Sequence, residues 1–253
     1  MAFPASHQQA VELFHLLFLQ QLGTRLDKKL YALKGGCNLR FFFRSIRYSE
    51  DLDLDVQTVA RETLRKNVNQ ILALRGFTQI LHSHRLAISF ASEPKQTVTT
   101  QRWKIHLRLE DDIGELPTKV EFSRRGFRAG VTFELIDPEI IRLHRLRPIL
   151  ANHYALETAF TQKVEALIHR RETQARDIFD LNLLLEAGAQ GTELPATVKK
   201  DLRQAGENAS AISLDDFQGQ VVAYLAPEYQ DYYRTPAAWE KLQAKVVEKL
   251  GER

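Results

Sequence analysis

Three aspartates, Asp51, Asp53 and Asp55, alternate with Leu52 and Leu54 in the run DLDLDV. Strict alternation marks a strand with one wet face, and residues two apart on a strand point the same way. The three carboxylates are therefore expected side by side. Like charges so placed repel, and the arrangement is costly unless a cation sits among them. An all-oxygen donor set favours Mg²⁺ or Mn²⁺ over Zn²⁺, and Mg²⁺ takes one or two carboxylates and completes its shell with phosphate oxygens. Two such ions can clamp the attacking and leaving oxygens of a phosphoryl displacement. Taken alone, the acid run fits a solvated edge strand equally well.

The residues upstream shift that balance. YALK reads as a short strand, Gly35-Gly36 as a turn, and NLRFFF as the start of a helix. Paired glycines let backbone N–H groups approach phosphate oxygens closely, and a helix N-terminus favours anions. Lys34, Arg40, Arg44 and Arg47 add positive charge close by in sequence. Glycine pair, helix and DxD, in this order, favour metal-assisted phosphoryl chemistry over the bland strand.

The elements that must hold these residues follow from periodicity. Val11, Leu13, Phe14, Leu17 and Phe18 recur at helical spacing, with Ser6 as the expected N-cap. Residues 58–75 read as an amphipathic helix ending before Gly76. FTQILHSHRLAISFAS reads as a hairpin, and QRWKIHLRLE, TKVEFSRR and VTFELI as strands. After Asp137-Pro138 helices are expected over 155–172, 174–188, 195–207, 213–226 and 236–250. The chain thus reads as an α+β lobe over 1–150 and a helical lobe over 151–253, with the site expected in the cleft between them.

Composition bounds the setting. The 253 residues are 44% hydrophobic and 26% charged, an ordinary globular balance with enough apolar residues for a core. A net charge of +3 permits a polyanionic partner without demanding one. One cysteine excludes an internal disulfide and points to an intracellular home. No leader pattern and no apolar run of transmembrane length is present, so a cytoplasmic protein without a membrane partner is expected.

The stretch KGGCNLRFFFRSIRYSEDLDLDV resembles the first motif of the nucleotidyltransferase superfamily. RYSEDLDL is similar in wording to the AbiEii/AbiGii toxin family of abortive-infection and toxin–antitoxin systems. TQKVEALIHRRETQARDIFDLNLLL resembles that family's lysine motif and its following Arg-Asp helix. The chain departs from the pattern at Cys37-Asn38, where the family more often has Thr and a small residue. The resemblance implies a nucleotidyltransferase-like mixed sheet with flanking helices, followed by a helical lobe carrying the lysine and Arg-Asp motifs. It implies that Asp51 and Asp53 hold Mg²⁺ or Mn²⁺, with Asp55 a member only in a shifted register. Gly35 and Gly36 would contact the triphosphate, Lys34 would lie beside them, and Ser49 would bind phosphate or position the acid strand. The superfamily's third carboxylate falls on Glu121, which otherwise reads as a surface acid paired with Arg124 or Lys119. Lys163 becomes a nucleotide-binding residue, and Asp177 or Asp180 an active-site acid orienting it. Without the resemblance those three would read as a salt-bridge network on a helix surface. The implied activity is transfer of a nucleoside monophosphate from an NTP to an acceptor, expected to be the 3′ end of tRNA, by a toxin with a cognate antitoxin.

Two rivals remain at this point: a nucleotidyltransferase acting on a small molecule or a protein, and a non-catalytic nucleotide-binding module that kept the fold. His82, His84 and His106 lie on strand-like segments far from the one cysteine, so zinc is not expected. Cys37 reads as a packing residue, Trp103 and Trp239 as core or interface, and the tyrosines of YLAPEYQDYYR as packing for a terminal helix. The basic clusters at 123–128, 142–147 and 169–171 read as solvated surface, or as phosphate contacts if RNA binds.

Overall fold

The computed structural model describes residues 4, 6–110, 112–192 and 194–251. Contacts divide the chain into two units, one comprising the residues up to Phe42 and Tyr48–Tyr154, the other Phe43–Arg47 and the residues from Ala155 onward.

The first unit is built on a seven-stranded mixed sheet. Its strands are β1 (Tyr31–Lys34), β2 (Asp51–Val56), β3 (Leu86–Gln96), β4 (Thr100–Leu109), β5 (Leu116–Ser123), β6 (Val131–Leu135) and β7 (Leu150–Tyr154), in the order β3-β4-β5-β2-β1-β7-β6. β2 runs antiparallel to β1 and parallel to β5, and β1 runs parallel to β7. Five helices accompany it: α1 (His7–Arg25), α2 (Gly35–Phe42), α3 (Arg61–Leu72), α4 (Arg75–Ser83) and α5 (Pro138–Leu143). Ser6 caps α1 by accepting from the Gln9 amide, as its position suggests. Ala10 to Leu19 of α1 are all buried, and Leu52, Leu54 and Val56 of β2 join them in one core. Burying the leucine side of β2 leaves its aspartate side to the opposite face.

The second unit is helical: α6 (Leu156–His169), α7 (Ala175–Glu186), α8 (Ala196–Lys200), α9 (Leu202–Ser210), α10 (Leu214–Gln220), α11 (Pro227–Tyr233) and α12 (Pro236–Gly251). Phe217 and Trp239 stack at 4.5 Å in its core, beside Phe179 and Tyr233. The mixed sheet followed by helices is the α+β class that the sequence predicts.

Several elements differ from expectation. FTQILHS is helix α4, not the first arm of a hairpin: Phe77 and Leu81, four apart, are its buried residues. The hairpin is instead β3–β4, closed around Thr97–Thr100. Gly76 does not stop the preceding helix; that helix is α3, which ends at Leu72, and Gly76 lies in the first turn of α4. LANHY, assigned to no element from its pattern, is strand β7 beside β1. The expected 195–207 helix is two, α8 and α9, and the expected 213–226 helix is α10 followed by a short 3₁₀ turn. No helix of the described residues is long and apolar enough to cross a membrane.

Candidate active site

The geometry begins at Gly35. Its φ of +63° is a left-handed conformation that glycine adopts without strain, and it turns the chain from β1 directly into α2. A Cβ here would lie 3.2 Å from Asp53 Oδ2, so the missing side chain is what lets the turn approach the acid strand. Behind the turn, the Ser49 hydroxyl donates to the Asp51 carbonyl at 2.9 Å, and Cys37 Sγ lies 3.2 Å from the same oxygen. Ser49 is thus tied to the backbone of the acid strand's first residue. Cys37 is buried, and burial pushes its thiol well up, so it is a packing residue that braces the strand. Gly36 follows in the first turn of α2.

Register brings the carboxylates together. Asp53 pairs with Lys34 of β1 on one side and with Glu121 of β5 on the other, and Asp51 pairs with Lys119. Residues opposite one another across a ladder share a face. Asp51, Asp53 and Glu121 therefore lie on one face of the sheet, with Lys34 and Lys119. The three acids differ in how they are compensated. Lys119 Nζ is 2.6 Å from Asp51, and Arg102 Nε is 2.5 Å from Glu121. Asp53 has no ion-pair or hydrogen-bond partner among the described residues. Burial, with the negative charge of Asp51, raises its pKa above the usual carboxylate range.

Asp55 belongs to a different arrangement. It is buried, accepts from Tyr154 Oη at 2.6 Å, and pairs with Lys34 Nζ at 2.5 Å. Its charge is met within the protein by Lys34 and Tyr154. Two of the four cations grouped near the glycines are also engaged elsewhere. Arg40 pairs with the buried Glu12, which also hydrogen-bonds His144, and Arg47 belongs to the second unit.

Could a divalent cation fit? Among the described residues no three His, Cys, Asp or Glu side chains already form a closed metal cage. The donor chemistry nonetheless fits a hard ion. Asp53 is an uncompensated carboxylate, and Asp51 and Glu121 flank it with oxygens now answered by side-chain cations.

The second unit holds the other predicted residues in a buried network. Lys163 Nζ lies 2.9 Å from Asp177 Oδ1 and 2.5 Å from Asp180 Oδ2. Arg47 reaches both Asp180 oxygens through Nη2, at 3.1 and 3.0 Å, and Arg170 lies 3.0 Å from Asp177. Both aspartates are 0% exposed and Lys163 is 8% exposed. Burial alone would raise the Asp180 pKa, but Arg47 and Lys163 outweigh it and hold the carboxyl below its ordinary range. The lysine is thus fixed on two sides by acids that do not reach solvent. Arg47 is a partner that sequence reasoning missed: it lies 133 residues from Asp180, with no local signal linking them. Lys119 was weighed only as a partner of Glu121, and the structure gives it to Asp51.

Comparison with known proteins adds an independent line. The family model for the nucleotidyl transferase AbiEii toxin, type IV TA system, matches residues 17–248. No curated protein matches the chain in sequence. Among solved structures, MenT4, a nucleotidyltransferase toxin from Mycobacterium tuberculosis H37Rv, is similar with a TM-score of 0.62 at 20% identity, over 97% of this chain and 83% of that one. JHP933 from Helicobacter pylori is similar with a TM-score of 0.61 at 17% identity, over 99% of this chain and 96% of that one. At such identities the two likenesses speak to the fold.

Proposed function

From the premise that the chain belongs to the AbiEii nucleotidyl transferase toxin family of type IV toxin–antitoxin systems, as the match over residues 17–248 shows, we propose that it transfers a nucleoside monophosphate from an NTP to the 3′ end of tRNA, using Mg²⁺ or Mn²⁺ held by Asp51, Asp53 and Glu121. Membership itself makes the chain a nucleotidyltransferase toxin and implies an antitoxin partner and an NTP substrate. The metal, the acceptor and the residue roles belong to the proposal, as does a cytoplasmic setting, where tRNA and NTP meet.

The observation that carries it is Asp53. A partly buried carboxylate whose pKa stays raised although Lys119 and Lys34 lie near, flanked by two further acids and without an ion-pair partner of its own among the described residues, is a poor device for stability and a good one for a site. Bound there, a divalent ion would neutralise the acids and polarise the phosphate oxygens of the substrate. The chain's own residues supply the rest. The left-handed Gly35 turn and the amide end of α2 receive phosphate oxygens, with Gly36 in the same turn and Lys34 at its edge. Asp53 takes the proton of the acceptor hydroxyl as its oxygen bonds to the α-phosphorus and the bond to pyrophosphate breaks. Lys163 contributes to nucleotide binding as a point charge. Asp177 and Asp180, which reach no solvent, act as positioning residues that fix its ammonium group.

The test is incubation of the protein with Mg²⁺, bacterial tRNA and each α-labelled NTP in turn, read on a denaturing gel. Label on tRNA, absent with Asp53→Ala, is the expected result. Label on protein or small molecules alone would overturn the tRNA reading, and no label anywhere would overturn catalysis.

A further inference from the structure

The polar face of the sheet changes sign as it leaves the acids. In register, Glu121 of β5 is followed by Arg102 of β4 and Lys95 of β3, and Asp51 by Lys119, Lys104 and Ser92. The next row carries His106 of β4 opposite Phe90 of β3, their rings 5.2 Å apart, and Arg108 follows on β4. Lys95 and Lys104 are exposed and have no ion-pair partner among the described residues. Phe90 is 49% exposed, on a strand that ends the sheet. Among the described residues, Asp51 and Glu121 answer Lys119 and Arg102 at the near end, and Glu115 meets His106 at 2.7 Å and Arg108 at 3.6 Å at the far end. Neighbouring strands lie about 4.8 Å apart, so Lys95 stands roughly 14 Å from Asp53 by three strand steps.

We propose that this β4–β3 face is the docking lane for the acceptor's single-stranded end, a phosphodiester strand that runs from the carboxylate site across Lys119, Arg102, Lys104 and Lys95 and stacks a base on Phe90. The inference rests on the reading that the acceptor is RNA. Charge complementarity selects the occupant. A nucleic-acid strand needs cations along its backbone and an aromatic face for its bases, and both are laid out here in rows. The exposed phenylalanine distinguishes this face from a merely basic surface, since an acidic protein segment gains little from a stacking platform.

The double variant Lys95→Glu/Lys104→Glu tests it. Both side chains are exposed and unpaired, so the fold is not at stake. Binding of a fluorescein-labelled single-stranded oligoribonucleotide is followed by anisotropy against salt. Binding of a fluorescent NTP analogue with Mn²⁺ is read on the same samples. The lane predicts at least tenfold weaker RNA binding, a salt slope smaller by about 1.4 for two lost phosphate contacts, and unchanged nucleotide binding. Phe90→Ala should weaken RNA binding about fivefold or more, with the salt slope unchanged. RNA binding equal to that of the parent would overturn the lane while leaving the transferase reading intact. Absent RNA binding with intact nucleotide binding would overturn both the lane and the tRNA acceptor, but not nucleotidyl transfer. Polyglutamate competing as well as RNA of equal charge would reassign the face to an acidic protein segment.

Discussion

Two groups of acids in this molecule are treated in opposite ways. In the helical unit, Asp177 and Asp180 reach no solvent, and Lys163, Arg47 and Arg170 answer them from several sides. On the sheet, Asp53 keeps partial access to solvent, has no ion-pair partner among the described residues, and has its carboxyl pushed up by burial and by Asp51 in spite of the nearby Lys119 and Lys34. Buried charge is tolerated when it is paired, and the first group meets its acids with its own cations, although Asp177 Oδ2 makes no hydrogen bond. In the second, Asp53 has no ion-pair partner among the described residues, the arrangement on which the proposed cation site rests.

The contrast is broken most directly at Asp180. Asp180→Ala strips Arg47 of its buried carboxylate partner, leaves Lys163 with Asp177 alone, and is expected to cost about 3–5 kcal/mol, read by urea unfolding. A cost below about 1 kcal/mol would mean that the network is not compensated as described.

Acid pH probes a third buried group beneath the site. His15 donates to or accepts from Thr118 at 2.8 Å, and burial pushes its pKa down to about 4. The folded state keeps it neutral, whereas the unfolded chain protonates it near 6.5. Its contribution is therefore present above pH 6.5 and lost as pH falls toward 4, by up to about 3 kcal/mol. His15→Gln should flatten the stability profile between pH 7 and pH 4.5; an unchanged slope would refute the assignment.

Glycines sharpen the comparison at smaller scale. Gly35→Ala meets both the left-handed backbone and Asp53 and should cost about 1–2 kcal/mol, together with transfer activity. Gly76→Ala, in a helix with nothing within 4 Å of an added Cβ, should instead gain about 0.5–1 kcal/mol. Equal effects in calorimetry would deny the special approach at Gly35.

An effect of similarly small size carries an unusual sign. A raised carboxyl pKa means that the ionised Asp53 opposes folding, increasingly so as pH rises through its folded value. Asp53→Asn should therefore stabilise the metal-free protein at pH 7 by about 1 kcal/mol while removing transfer. Destabilisation in thermal unfolding would argue that the carboxylate is a structural partner.

What was legible in the sequence follows the same division. The acid strand, the glycine turn and α1 were readable because each rests on local spacing: alternation in DLDLDV, Gly-Gly between periodic runs, Ser6 before an apolar helix. The placement of Glu121 beside Asp53 agrees with a strand acid of the expected kind, though spacing could not supply its register. α4 was misread because FTQILHS is short and lies next to a true strand, which blurs a period of 3.6 into one of 2. β7 escaped because LANHY is five residues long, and its pairing with β1 depends on a strand more than a hundred residues earlier. Arg47 was unreadable for the same reason: a long-range ion pair leaves no trace in local sequence.

The claim that Asp53 marks a cation site is tested most directly by Mn²⁺ titration, with free Mn²⁺ followed by electron paramagnetic resonance, in the parent and in Asp53→Asn. The account predicts saturable binding by the parent and at least a tenfold loss of affinity in the variant. Equal binding by the two proteins, or none by either in the presence of NTP, would contradict it.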